Sequence, residues 1–305
     1  MKKPSRIKAI LLASFVAFIW STSWILIKFG LNDIPALTFA GLRYFLGFLC
    51  LTPFLFQSSV RKQILLFTKA EWTLILLMGV ITYFTAQGTQ FLSLAYLPAT
   101  TLSLILNLTS VFVAILAVYL IKEVPAWNQW LGLAINLIGV LIFFHPQGGN
   151  GGAVIGFIFA AVCLASNTLG TLIGRKVNAS GKLNPIAVTM VSMGIGSILM
   201  LSSGLAWQGL PAISTRSIVI ILVLAVVNTA FTFVVWNYTL QTLTAVESSI
   251  INNTMMVYIA ILAWIFLDEI QDLSGIIGLA LAFIGAIIVN LKIRKSERNA
   301  QKHEQ

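Results

Sequence analysis

Ten apolar runs of about twenty residues follow one another along this chain, at roughly 7–29, 35–57, 72–94, 99–121, 126–144, 152–174, 184–204, 217–240, 246–267 and 273–293. A helix needs about 20 apolar residues to cross the hydrocarbon layer of a bilayer. A soluble domain carries about 25% charged residues, whereas here 58% of residues are hydrophobic and 9% are charged. No single water-soluble core could hide that much apolar surface. A soluble enzyme, a disordered chain and a disulfide-stapled secreted module are therefore excluded. The expectation is an all-α integral membrane protein with ten transmembrane helices.

The net charge of +10 sits in short clusters between the runs, which reads as topology charge and not as a nucleic-acid footprint. With the N-terminus in the cytoplasm, Lys2, Lys3, Arg6, Lys8, Arg61, Lys62, Lys69, Lys122, Arg175, Lys176, Lys182, Lys292, Arg294, Lys295, Arg298 and Lys302 all fall inside. Only Lys28 and Arg216 lie toward the outside, and Arg43 lies within the second run. Positive charge is retained on the cytoplasmic side, so both termini are expected there, in the inner membrane of a prokaryote. The first run is too long for a signal-peptide core of roughly 7–15 residues and is read as a retained span. Pro35 and Pro185 stand just inside the start of their runs, with Asn184 as an N-cap. Cys50 and Cys163 lie within apolar runs and are read as packing residues.

A shift of 146 residues lays 99–142 over 245–288 without a gap. Identical pairs include Ser103/Ser249, Asn107/Asn253, Glu123/Glu269, Gly132/Gly278 and Gly139/Gly285. The run Ala114–Ala117 recurs as Ala260–Ala263. The chain thus reads as two five-span units, 1–147 and 152–293, with a basic cytoplasmic tail at 294–305. The Pro/Gly break from His145 to Gly152 separates them. Five is odd, so the second unit enters the membrane from the opposite side. Such inverted repeats serve alternating access around a midplane site in many secondary transporters.

Several local patterns add to the repeat. The first half carries Trp20-Ser-Thr-Ser-Trp24 followed by Lys28, then Pro35 through Arg43, Ala95-Tyr96-Leu97-Pro98-Ala99 running on to Glu123, and Gly132 with Gly139. The second half repeats the last part, ending at Asp268-Glu269 and Gly278. On these residues the chain resembles the drug/metabolite transporter superfamily, and within it the EamA family, with two EamA domains. The resemblance implies a ten-helix bundle around a central cavity lined mainly by helices 1, 3, 4, 6, 8 and 9. It also implies export of amino acids, nucleosides, drugs or other metabolites.

Polar side chains at membrane depth need partners, so they face the bundle interior or a wet cavity. Trp20, Trp24 and Lys28 form one stripe on the first helix, and Tyr83, Gln87 and Gln90 form another on the third. Asn107, Asn167, Asn228, Thr232, Trp236 and Asn253 come from helices 4, 6, 8 and 9. All of these are candidate substrate-binding residues. The competing reading is helix–helix hydrogen bonding for the amides and hydroxyls, and packing or the interfacial belt for the tryptophans. Gln87 and Gln90 stand out because an amide offers both donors and acceptors.

Three charges carry separate expectations. Arg43 must find carbonyls, water or a carboxylate, as a structural anchor or as part of the cavity. Lys28 can snorkel to the interface or meet a substrate carboxylate. Glu247 starts the ninth helix, where a carboxylate suits the helix dipole, and it is also the candidate coupling residue.

No G-x-x-x-x-G-K-[ST] segment is present, and the only histidines are His145 and His303. Catalytic sets, a metal site and a bound cofactor are accordingly not expected, and the chain is read as a non-enzyme. The reading is a secondary transporter exporting small amphiphilic metabolites such as amino acids, aromatic or hydrophobic ones among them. The alternatives are a carrier of drugs or lipid-linked substrates, a non-transporting membrane scaffold, or a membrane enzyme. The expected partners are a small-molecule substrate and the lipid bilayer, with no nucleic acid, in a monomer or homodimer.

Overall fold

A computed structural model of the chain describes residues 3–120, 126–143, 151–270 and 272–291, and among them there is no strand. The apolar runs become helices α1 (Arg6–Gly30), α2 (Ala36–Leu51), α3 (Lys69–Tyr96), α4 (Ala99–Leu120) and α5 (Trp127–Phe143). They continue with α6 (Gly151–Asn178), α7 (Pro185–Gln208), α8 (Thr215–Thr239), α9 (Ala245–Leu267) and α10 (Leu273–Leu291). Among the described residues eight spans are long and apolar enough to cross a membrane, α2 only together with the turn that carries it on to Phe56, while α5 and α10 present the shorter apolar stretches Trp127–Ile142 and Leu273–Gly285. Glu123, His145 and the tail at 294–305 lie outside the described residues.

The helix ends follow from local chemistry. Thr68 with Glu71 and Thr244 with Glu247 form reciprocal capping boxes at the starts of α3 and α9. Asn184 caps α7 by accepting from the Ile186 N–H, with Pro185 in the first turn. Pro35 precedes the first helical residue of α2 instead of opening it. The second run also stops short of 57: its last part tightens into the 3₁₀ turn Thr52–Phe56, then the short helix Ser58–Leu65 follows. The central break is narrower than its sequence suggests, since α6 already begins at Gly151.

Lipid tails are as apolar as leucine, so helices associate through close packing and small residues and not through hydrophobic exclusion. The α5–α10 pair shows this. A Cβ added at Gly139 would lie 2.6 Å from the Gly278 carbonyl and from the Ala282 nitrogen. One added at Gly285 would lie 2.5 Å from the Gly132 carbonyl and 2.7 Å from the Asn136 nitrogen. These contacts map onto each other under the 146-residue shift, so the two halves meet about a pseudo-two-fold axis.

Two further irregularities recur in both halves. A π-helical stretch interrupts α3 at Gly79–Ala86 and α8 at Val226–Phe231. Turns at Leu108 and Thr254 break α4 and α9 at equivalent positions. At both breaks the local backbone bond is of the i→i+3 kind, Leu108 N–H to Ile105 O and Thr254 N–H to Ile251 O, each at 3.1 Å.

Candidate functional site

The two broken helices cross at the middle of the bundle, and their asparagines tie them together. Asn253 Nδ2 donates to the Asn107 carbonyl at 2.8 Å and to Ser110 Oγ at 2.7 Å. The mirror contact runs from Asn107 Nδ2 to Met256 Sδ at 2.8 Å. Asn136 on α5 completes the knot, donating to Asn107 Oδ1 at 2.9 Å and to the Ala282 carbonyl at 3.2 Å. Asn107 and Asn253 therefore join the halves while also bordering a cavity beside them.

That cavity has a volume of about 130 Å³. Its walls carry Trp20 and Trp24 from α1, Gln87 and Gln90 from α3, Asn107 from α4, Asn167 from α6, Trp236 from α8 and Asn253 from α9. These eight candidate residues are brought together. Arg43 also lines the cavity, beside Tyr44, so α2 belongs to the wall and the set of helices implied by the resemblance is one short.

Four of the candidate binding residues stand elsewhere. Tyr83 is fully buried behind the wall, its ring 4.9 Å from Phe233. Asn228 and Thr232 hold a neighbour in place: Trp20 Nε1 donates to Thr232 Oγ1 at 2.8 Å and to the Asn228 carbonyl at 3.1 Å. Asn228 Nδ2 in turn donates to the Ile19 carbonyl at 2.7 Å and to Thr22 Oγ1 at 3.0 Å. Lys28 donates to the Leu97 carbonyl at 2.7 Å, at the end of the bundle where α1 finishes. Beside it Glu269 accepts from the Ala99 and Thr100 N–H groups at 2.9 and 3.0 Å, closing the start of α4. At the opposite end, where α1 begins, Glu247 caps α9 and pairs with Arg6 at 2.6 Å. Glu247 thus has the capping role its position suggests, plus a link from α9 to α1, and it does not line the cavity.

The π stretches position the walls. In α8 the carbonyl of Asn228, inside the stretch, receives both Trp20 Nε1 and Arg43 Nη2, the latter at 3.2 Å. In α3 the carbonyl of Ala86 accepts from Cys163 Sγ of α6 at 3.2 Å. In each half, then, the first helix reaches into the wide turn of the other half's third helix. Such turns re-aim side chains and concentrate at functional sites.

Tyr44 and Phe233 are the aromatic cavity residues missing from the candidates. Phe233 packs 4.9 Å from Trp20, which lies 5.1 Å from Trp236. Helical spacing would have found it, since it lies four residues after Thr229 and three before Trp236 on one face. Tyr44 donates its hydroxyl to Gln87 Oε1 and carries no such signal, because its partner is remote in sequence. Two polar atoms of residues bordering the cavity, Asn252 Oδ1 and Thr82 Oγ1, are buried without a partner among the described residues. A buried unpaired acceptor of this kind is costly unless a ligand or water meets it.

Comparison with known proteins agrees with this architecture. The EamA-like transporter family matches residues 7–145 and 152–291, one match for each half. The uncharacterized transporter YvbV of Bacillus subtilis (strain 168) is 27% identical over 304 residues, covering 98% of this chain and 97% of that protein. A protein of Escherichia coli (strain K12) named "Probable amino-acid metabolite efflux pump" is 24% identical over 289 residues, with 91% of each chain covered. The S-adenosylmethionine/S-adenosylhomocysteine transporter of Chlamydia trachomatis serovar L2 is 26% identical over 219 residues, covering 68% of this chain and 66% of its own length. A crystal structure with a TM-score of 0.76 at 15% identity, covering 95% of this chain and all of its own, shares the fold. Two matched repeats, apolar helices of spanning length and a cavity between the halves meet in one assignment: the chain is a multi-pass membrane protein of the EamA-like transporter family.

Proposed function

We propose that the protein is a secondary transporter that exports small amphiphilic metabolites, amino acids among them, by alternating access. The carrying observation is the cavity at the crossing of the two broken helices, bordered by both halves of the repeat. A cavity of roughly 150 Å³ holds benzene, so one of about 130 Å³ suits the ring or branched side chain of a small metabolite. It is small for a lipid-linked substrate. Its wall joins the aromatic face of Trp20, Phe233 and Trp236 to the amides of Gln87, Gln90 and Asn252, a pairing suited to a solute with one apolar and one polar end. The names of relatives that move amino-acid metabolites favour the same solute class.

In this reading ten helices span the inner membrane of a prokaryote with both termini in the cytoplasm. Rocking of one repeat against the other moves the opening from one side to the other. Ties at one end, Lys28 with Leu97 and Glu269 with the start of α4, would alternate with the Arg6–Glu247 tie at the other. No step of chemical conversion is assigned to the protein.

The test is flux from loaded proteoliposomes against a labelled panel of amino acids and small drugs. Saturable efflux of at least one unchanged solute is expected. A panel that leaks no faster than protein-free vesicles would refute transport, and a chemically altered solute would favour an enzyme. Reporter fusions near 65, 180 and 300 should report cytoplasm, and fusions near 148 and 270 the outside. A C-terminus on the outside would overturn the inverted repeat.

A further inference from the structure

Arg43 lies on α2, 2% exposed, with its side chain bordering the cavity. Nε donates to Thr229 Oγ1 at 2.8 Å and Nη2 to the Asn228 carbonyl at 3.2 Å. Two of the five N–H groups of a guanidinium are used this way, and the others have no protein acceptor among the described residues. No Asp or Glu borders the cavity among those residues either. A permanent cation is therefore held at membrane depth with carbonyl and hydroxyl support but no counter-charge beside it. Ionisable groups in that position mark substrate pathways.

The neighbouring amide is set to match. The Tyr44 hydroxyl donates to Gln87 Oε1, which occupies the amide oxygen and leaves the Nε2 hydrogens for the cavity. The guanidinium carbon of Arg43 lies 5.1 Å from the Tyr44 ring centre, so both donors rest against the same tyrosine. The next surface is apolar: Phe233 lies 5.9 Å from Tyr44, and Trp20 and Trp236 follow it. One corner of the cavity thus offers hydrogen-bond donors and positive charge, and the adjoining wall offers flat hydrocarbon. A guanidinium fork with a second N–H donor is the pattern that receives a carboxylate.

We infer that Arg43 and Gln87 form a carboxylate subsite, so that the cavity selects organic acids bearing a flat apolar group over the corresponding amides and amines. This rests on the transport reading above and narrows its substrate class. The carboxylate supplies the missing counter-charge. An ammonium group on the same solute meets only neutral oxygens, such as Asn252 Oδ1, and is dispensable.

The test uses the purified full chain and three probes sharing one ring: 3-phenylpropionate, 3-phenylpropionamide and 2-phenylethylamine. Calorimetric titration should show the acid binding about 10-fold or more tighter than the amide, with the amine weaker still. Arg43→Gln should bring the acid down to the level of the amide. If that variant fails to fold, Gln87→Glu decides alone, because it keeps an acceptor for Tyr44 and sets a negative charge against the solute. It should weaken the acid by about 10-fold or more, and by more than it weakens the amide. Equal binding of acid and amide, an acid preference that survives Arg43→Gln, or an unchanged acid affinity in Gln87→Glu would each overturn the subsite alone. Absence of binding for all three probes would also overturn the subsite, whereas the transport reading falls only if the efflux panel fails as well.

Discussion

In the first half of the chain, α2 brings Arg43 and Tyr44 to the cavity wall, whereas its counterpart α7 brings no residue to it. With Pro35 laid over Pro185, Arg43 falls opposite Met193, which is fully buried in the core. Elsewhere the halves match closely. Each has a π stretch in its third helix, a break in its fourth, and a fifth helix packed against its mate through glycine. Apart from the paired asparagines Asn107 and Asn253, these shared features belong to the backbone, and they set how the halves fit. The unshared ones are side chains bearing charge or hydrogen-bond donors, and they fall where a solute would lie. Duplication accounts for the frame, and the divergence of α2 from α7 accounts for Arg43, the one charged residue of the cavity wall among the described residues.

Substitutions at the symmetric frame should have the largest effect, and an equal one in both halves. Gly139→Leu and Gly285→Leu each force a side chain into the backbone of the partner helix. We expect each to cost about 3 kcal/mol or more and to remove most monodisperse protein in detergent size-exclusion runs. If only one of the pair does so, the α5–α10 contact is not symmetric in the folded protein.

The divergent wall should respond next, in affinity and not in yield. Trp236→Ala and Gln87→Ala are expected to weaken solute binding by about 5- to 100-fold, measured by calorimetry on folded variants. Residues of similar size on α5 or α7, such as Ile138 or Ile198, should change it little when replaced by alanine. Equal losses from both sets would mean that the wall residues are ordinary packing.

A smaller effect is expected at the joined asparagines. Asn253→Ala removes two hydrogen bonds across the axis, to Asn107 and to Ser110. Interhelical bonds in membranes average about 0.6 kcal/mol, and some reach about 1.7, so a loss of about 1 kcal/mol is expected. Asn107→Ala also removes two, the bond to Met256 Sδ and the one accepted from Asn136, while the Asn253 bond to the backbone carbonyl at 107 survives, so a loss of the same size is expected. A loss confined to one of the two variants in thermal-stability measurements would show that the ties across the axis are unequal.

The smallest effect concerns the loop after α1. Asp33 accepts from Ser214 Oγ and Ser217 Oγ, both at 2.6 Å, and these bonds hold its carboxyl below the ordinary value. A carboxylate depressed in the folded state stabilises the fold above its unfolded value and loses that contribution as pH falls through the folded one. Stability should therefore drop slightly below about pH 4, and Asp33→Asn should flatten that drop. Identical acid profiles for the two proteins would remove the role of this tie between the α1–α2 and α7–α8 loops.

Much of the frame was legible in the sequence because its signals are local or periodic. Run length marked the helices, and polar and glycine matches at one fixed shift revealed the repeat, while the Thr-x-x-Glu capping boxes at Thr68 and Thr244 went unread although the pattern is local. The site was legible in part. Trp20, Trp24, Gln87 and Trp236 lie on stripes that helical spacing exposes. Asn228 and Thr232 lie on such stripes too, yet they turn to Trp20, because a stripe gives a face and not the partner waiting there. Tyr44 and the cavity position of α2 were hidden for the converse reason. Their meaning comes from Gln87 and Phe233, which are distant in the chain. The π stretches were also unreadable, since one extra residue in a turn leaves no mark on composition.

Asn107 and Asn253 touch although they hold the same place in their respective halves. A contact of a position with its own equivalent is isologous, the kind that two identical subunits make with each other. The bundle has in this sense the grammar of an antiparallel homodimer written on one polypeptide. Isologous faces are closed: each half saturates the other, and a third copy of the unit finds no matching surface there. A covalent link at 144–150 then adds fixed stoichiometry, while the fit of the halves resides in the face itself. Two polypeptides made by cutting the chain in that segment should carry what they need to find one another in the same membrane.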